Sequence, residues 1–266
     1  MHPELFRIGD FVVSTYGLML VVAFLAAYHQ LRWGFQKLSL GDPEDAASLV
    51  FWAGISGIVG SKVYYALLVG SWDALFDRAG LVFYGGFLLA AATLLWIVRR
   101  RRLNFWSTLD VMTLALALAY ALGRVGCLLV GDDYGAPTDL PWAIAFPEGA
   151  PPSTAENLRL LGMPVDPAVP GSTVLAVHPT QIYETLGALA IWLLGHQVLR
   201  RRPRPGQTAL VVLALLGLER FLVEFVRAKD DRFFGTFTLA QMISLGIVAL
   251  MAVLWLRRRR VAAPAP

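Results

Sequence analysis

The residues that could do chemistry in this chain are ionisable groups set inside or at the rims of long apolar blocks: Lys62, Arg124, Glu184, Glu219, Arg220, Glu224 and Arg227. A Lys, Arg or Asp at the centre of a membrane helix costs about 2.5–3.5 kcal/mol on insertion scales, so such groups pair or face a wet cavity. In Glu219-Arg-Phe-Leu-Val-Glu-Phe-Val-Arg227, the residues Arg220, Glu224 and Arg227 stand at i, i+4 and i+7 and share one helical face. Two guanidiniums bracketing one carboxylate leave spare positive charge, and arginine forks fit phosphate oxygens. The same spacing also suits an internal salt-bridge ladder that orients the helix. The trio alone leaves both readings open.

Three further segments carry polar chemistry. Gly123-Arg-Val-Gly-Cys-Leu-Leu-Val-Gly-Asp-Asp-Tyr-Gly135 surrounds Arg124 with four glycines and two aspartates, which permits tight turns and close backbone approach where an apolar block ends. It reads as a place for a headgroup or as a helix end with a snorkelling arginine. His178-Pro-Thr-Gln-Ile-Tyr-Glu184 puts a histidine at a block's start, where neutral imidazole serves as a general base or bonds a carbonyl. Phe83-Tyr-Gly-Gly86 offers a glycine notch for a lipid or for another helix. Gly54-Ile-Ser-Gly57 carries a G-x-S-G string, but no histidine stands in an A-H-x-x-G-like context. With Gly60 it reads as a smooth packing face. Cys127 is the lone cysteine, so no internal disulfide forms, and amid Val and Leu it reads as inert packing. The four histidines (His2, His29, His178 and His196) include no i, i+4 pair, and no metal site is expected.

These groups need elements to position them. Hydrophobic residues make up 57% of the 266 and charged ones only 16%, against about 25% charged in soluble domains. The apolar residues come in blocks near the membrane-spanning length of about 20 residues: Phe11–Leu31, Ala46–Val69, Leu81–Val98, Leu109–Val130, Gln181–Leu199, Thr208–Phe225 and Thr238–Leu256. Asp110, at the start of the fourth, is expected to cap or anchor an interface. Met1–Asp10 lacks a basic region and a small-residue cleavage site, so the first block reads as a retained helix. Basic runs at Arg32 and Lys37, Arg99–Arg102, Arg200–Arg204 and Arg257–Arg260 mark cytoplasmic ends. They are a topology signal rather than a nucleic-acid footprint. The expectation is an all-α polytopic bundle of about seven transmembrane helices, N-terminus outside and C-terminus cytoplasmic. Between Gly131 and Val177, Asp132, Asp133, Asp139, Glu148, Glu156 and Asp166 face a single basic residue, Arg159, which fits a small packed extracytoplasmic cap. Residues 1–260 then form one membrane domain and 261–266 a disordered tail. No internal repeat is evident, which counts against a transporter built from inverted repeats.

In order, Tyr16-Gly-Leu-Met19, Gly60-Ser-Lys-Val-Tyr-Tyr65, Phe83-Tyr-Gly-Gly86, the Gly123–Gly135 signature, Pro137-Thr-Asp-Leu-Pro-Trp142 with Phe146-Pro147, His178–Glu184 and Arg220–Arg227 resemble the prolipoprotein diacylglyceryl transferase family of bacteria over nearly the whole chain. The resemblance implies transfer of the diacylglyceryl group of phosphatidylglycerol to the lipobox cysteine thiol of a preprolipoprotein. Glycerol phosphate is released in the bacterial cytoplasmic (inner) membrane, with no cofactor. It implies that Arg124 and Arg220 hold the phosphate, that Glu224 orients Arg220, and that Tyr16 and Gly135 help form the site. Lys62, Gly85, Gly86 and Asp132 are the further expected contacts to phosphatidylglycerol, with Asp132 where the family usually has Glu. Tyr84 stands in place of the family's histidine, Cys127 and Val130 in place of asparagines, and Lys62 where Arg is common. Proton removal by His178, by Tyr84 with arginine help, or by water near phosphate stays open, as does a paralogue that binds phosphatidylglycerol or serves another acceptor.

Overall fold

A computed structural model describes residues 4–9, 11–76, 82–201, 203–229, 232–234 and 236–260; the 261–266 tail lies outside the described residues. The described chain is all-α in class, with eight α-helices and three two-stranded hairpin-like pairings. The helices are α1 (Thr15–Leu38), α2 (Pro43–Val69), α3 (Phe83–Arg100), α4 (Phe105–Val130), α5 (Ala155–Leu160), α6 (Thr180–Arg200), α7 (Gln207–Val223) and α8 (Leu239–Arg260). Five of them, α1, α2, α4, α6 and α8, are long and apolar enough to cross a membrane. Many of their large side chains are open to the surroundings, among them Phe51, Leu67, Leu186 and Val253. Apolar surface on this scale requires lipid rather than water around it. This is a membrane protein.

The helices depart from the apolar blocks where hydropathy and helicity have different causes. The first block begins at Phe11, but β1 (Glu4–Ile8) pairs antiparallel with β2 (Phe11–Ser14), and α1 starts only at Thr15. It then runs past Arg32 to Leu38, because a charged residue ends an apolar window without ending a helix. Asp110 is not a cap. It is buried a full turn inside α4, whose start is held instead by Asn104, its Oδ1 accepting from the Ser107 N–H at 3.0 Å. The i, i+4, i+7 ladder also breaks: α7 ends at Val223, tightens into a 3₁₀ turn over Glu224–Val226, and Arg227 is extended.

The chain divides into two compact units, Phe24–Ala115 and Met1–Ala23 with Leu116–Pro266. The first has a core of Leu31, Phe35, Ala46, Leu49, Ile97, Val98, Val111 and Ala115. There α2 and α3 pack closely because Gly60 lies against the Gly85 carbonyl and Gly86 against Ser61 and the Gly57 carbonyl. A Cβ on Gly86 would sit 2.7 Å from Gly57 O, so only glycine admits this approach.

The second unit holds α6, α7, α8 and the Gly131–Val177 segment, which has a small core of its own: Tyr134, Phe146, Leu158, Val177 and Ala228. Tyr134 stacks on Phe146 with centroids 5.4 Å apart and donates its hydroxyl to Pro152 O at 2.9 Å. Ser153 Oγ accepts from the Phe146 N–H at 2.9 Å and donates to Leu175 O at 2.8 Å. Strands β3 (Ile144–Ala145) and β4 (Ala176–Val177) close the segment on itself.

Candidate active site

Helix α4 ends where Gly131 takes a left-handed φ of 74°, and the turn that follows carries Asp132 and Asp133, the latter also left-handed at φ 57°. The first residues of α6 grip this turn: Thr180 Oγ1 donates to Asp133 O at 2.7 Å and Gln181 Nε2 to Asp132 O at 2.6 Å. The backbone of the next residues is held from both sides. Gly135 N–H donates to His178 O at 2.8 Å, His178 N–H to Ala136 O at 3.0 Å, and Ala136 N–H to Val226 O at 2.8 Å. Gly135 also bridges Arg227. A side chain at Gly135 would drive into Val226 O, His178 Cβ and Thr180 Cγ2, so glycine is what lets three segments meet.

That framework closes a ring of six alternating charges. Arg124 Nη1 meets Asp133 Oδ2 at 2.9 Å, and Asp133 Oδ1 meets Arg227 Nη2 at 2.9 Å. Arg227 Nε lies 3.9 Å from Glu224 Oε2, which pairs with Arg220 Nη2 at 2.6 Å. Arg220 Nη1 lies 3.5 Å from Glu184 Oε1, and Glu184 Oε2 returns to Arg124 Nη2. Two corners have a further anchor: Tyr120 donates to Glu184 Oε1 at 2.8 Å and Thr238 Oγ1 to Glu224 Oε1 at 3.1 Å. Three arginines and three carboxylates balance, so the spare positive charge expected from Arg220–Glu224–Arg227 alone is absent. Glu184 and Asp133 supply the missing counter-charges. Isolated, each buried ion would carry a desolvation penalty of several kcal/mol, and closure of the ring offsets it.

The ring is buried unevenly. The side chains of Glu184 and Glu224 are 1% and 2% exposed, whereas Asp133 is 46% and Arg220 30%. Its open edge is therefore Asp133 and Arg220. Burial alone would raise the Asp133 carboxyl, but Arg227 and then Arg124 hold it below the usual carboxylate range, so it stays ionised. Its neighbour Asp132 is outside the ring, and burial, followed by the nearby Asp133 charge, pushes its carboxyl up.

The other expected residues fall in several places. Tyr16, at the start of α1, lies over Gly126, whose missing Cβ would be 3.2 Å from Tyr16 Cδ2. Cys127 is buried with its Sγ 3.5 Å from Arg124 Nη1. His178 lines an open groove of about 420 Å³ with Leu140, Trp142, Tyr183, Leu222, Val223 and Val226. Its Nδ1 is 3.3 Å from the Tyr183 hydroxyl, which accepts from Trp142 Nε1 at 2.8 Å. Burial lowers the His178 pKa, which favours neutral imidazole. Lys62, Tyr84, Gly85 and Gly86 belong to the Phe24–Ala115 unit, where both glycines are occupied by packing on α2. Glu184 and Arg227 stood out in the sequence as ionisable groups in apolar blocks but were not assigned to the lipid site, and Asp133 was not singled out; all three are ring members. The signal for Glu184 was an acid deep in an apolar block. The resemblance singled out Asp132, and no local pattern marked its neighbour Asp133.

A family model described as prolipoprotein diacylglyceryl transferase matches residues 3–257. A phosphatidylglycerol--prolipoprotein diacylglyceryl transferase of Geobacter sulfurreducens is 30% identical over 280 residues, covering 97% of each chain. Enzymes of the same name from Pseudomonas fluorescens and Vibrio cholerae are 28% and 29% identical. They cover 96% and 97% of this chain and 93% of their own lengths.

Proposed function

Because the chain belongs to the prolipoprotein diacylglyceryl transferase family, we propose that it moves the diacylglyceryl group of phosphatidylglycerol onto the lipobox cysteine thiol of a preprolipoprotein. The observation that carries this reading to the site is the arginine–carboxylate ring with its open edge at Asp133 and Arg220. In the reaction, a cysteine sulfur forms a bond to the glycerol carbon attached to phosphate, the carbon–oxygen bond breaks, and glycerol phosphate leaves with that electron pair. The phosphate gains a second negative charge as it leaves. Arginines already fixed in a low-dielectric site stabilise that charge more than they stabilise the bound lipid, and this difference is what accelerates the step. Arg124 and Arg220 take the phosphate; Glu224 and Glu184 hold their forks in register. Tyr16 and Gly135 shape the pocket, Asp132 adds a polar contact, and His178 takes the thiol proton from its groove.

Residues 1–260 act as one transferase domain in the bacterial inner membrane. Seven helices cross it with the N-terminus outside, and the Gly131–Val177 segment forms the extracytoplasmic cap. The basic runs beside alternate helices and the acidic segment between α4 and α6 support that orientation. The test is complementation in bacteria depleted of their own transferase. The chain restores the mobility shift of a reporter lipoprotein; a well-inserted protein that leaves the precursor unmodified would contradict the assignment.

A further inference from the structure

The ring poses a problem for an anion-binding site, since each arginine is already matched by carboxylates. One corner differs from the rest. Glu184 and Glu224 are buried, lie on α6 and on the tightened end of α7, and are anchored by Tyr120 and Thr238. Asp133 sits on a turn, is nearly half exposed, and bridges two guanidiniums with one oxygen on each at 2.9 Å. This is how two oxygens of a phosphate span a pair of arginines. Its backbone is fixed by Thr180, so rotation of the side chain alone would vacate both guanidiniums.

We propose that Asp133 is a placeholder for the lipid phosphate: its carboxylate occupies Arg124 and Arg227 in the resting protein, and the phosphate of phosphatidylglycerol displaces it. The assignment rests on the phosphatidylglycerol reading above. Charge accounts for both directions of the exchange. A phosphodiester carries the same single charge as the carboxylate it replaces, so the ring stays balanced on binding. Cleavage adds a charge to the phosphate, which the arginines hold more tightly than the diester; Asp133, ionised beside the same arginines, is the competing anion that weakens this hold and limits retention of glycerol phosphate. Arg227 thereby becomes a phosphate-binding residue as well as Arg124 and Arg220.

The experiment is calorimetric titration of the full detergent-solubilised chain with inorganic phosphate and with glycerol phosphate, for the wild type, Asp133→Asn and Asp133→Ser. It is accompanied by KM for phosphatidylglycerol wherever turnover is seen. Removing the one competing carboxylate tightens anion binding about tenfold in both variants, lowers KM and strengthens product inhibition. Asp133→Glu returns these values toward the wild type. Anion binding that is equal or weaker in the folded variants overturns the placeholder, and so does loss of the folded state in both, since a brace rather than a placeholder is needed for folding. Absence of transfer by the wild type would sink the phosphatidylglycerol reading instead. The anion titration still decides the role of Asp133.

Discussion

Two helix contacts in this molecule answer the same apolar surroundings in opposite ways. Between α2 and α3, Gly57, Gly60, Gly85 and Gly86 remove side chains so that backbone meets backbone. Around α4, α6 and α7, six long charged side chains are kept and made to satisfy one another. The first arrangement gains dispersion contacts and leaves no polar group to desolvate. The second is no better for stability than well-packed apolar residues would be. On the proposed reading, what the second arrangement provides instead is a set of fixed arginines for a developing phosphate charge.

That contrast predicts where substitution hurts and in what way. The largest effect belongs to Arg124→Ala, which takes from buried Glu184 its closer guanidinium and leaves Asp133 with Arg227 alone. It costs about 3–5 kcal/mol by the general cost of breaking a buried pair and abolishes transfer. Thermal unfolding and the reporter mobility shift read the two losses separately. Arg220→Lys keeps the charge and loses the fork; Arg220 is the more open arginine, so folding changes little while kcat/KM falls by about tenfold to a hundredfold. A steady-state assay with varied phosphatidylglycerol checks it.

On the glycine side, Gly86→Val pushes α3 off the Gly57 carbonyl and lowers stability by about 1–3 kcal/mol. The proportional activity loss should track the folded fraction; a kcat defect in fully folded protein would assign Gly86 to substrate and blur the comparison.

The helices were legible because lipid demands apolar blocks, and Arg124, Arg220 and Glu224 stood out as charges inside them. The ring was not. Its closure needs Asp133 from a turn and Glu184 from α6, partners 9 and 60 residues from Arg124 in sequence, and no local spacing records that pairing. Asp110 misled for a different reason: it marks the edge of an apolar window, whereas α4 begins at its Asn104 cap. The break after Val223 turns Arg227 off the helical face the spacing implied, yet the Gly135 bridge returns it to the ring.

Smaller effects sharpen the choice of base. His178 acts as a base only when neutral, and burial lowers its pKa. Rate therefore holds at neutral pH and falls on acidification, with the midpoint below the ordinary histidine value of about 6.5. The pH–rate profile loses that acid limb in His178→Asn. Tyr84→Phe, on the α2–α3 side, changes kcat less than twofold by the same assay, where a tyrosine base would show a loss of about 10² or more.

The most direct test is reconstitution. The purified chain in phosphatidylglycerol vesicles is given a lipobox peptide, and the peptide is read by mass spectrometry. The ring account predicts a thioether-linked diacylglyceryl adduct with wild-type protein and none with Arg124→Ala or Arg220→Ala. An adduct formed at the wild-type rate by either folded alanine variant would contradict it.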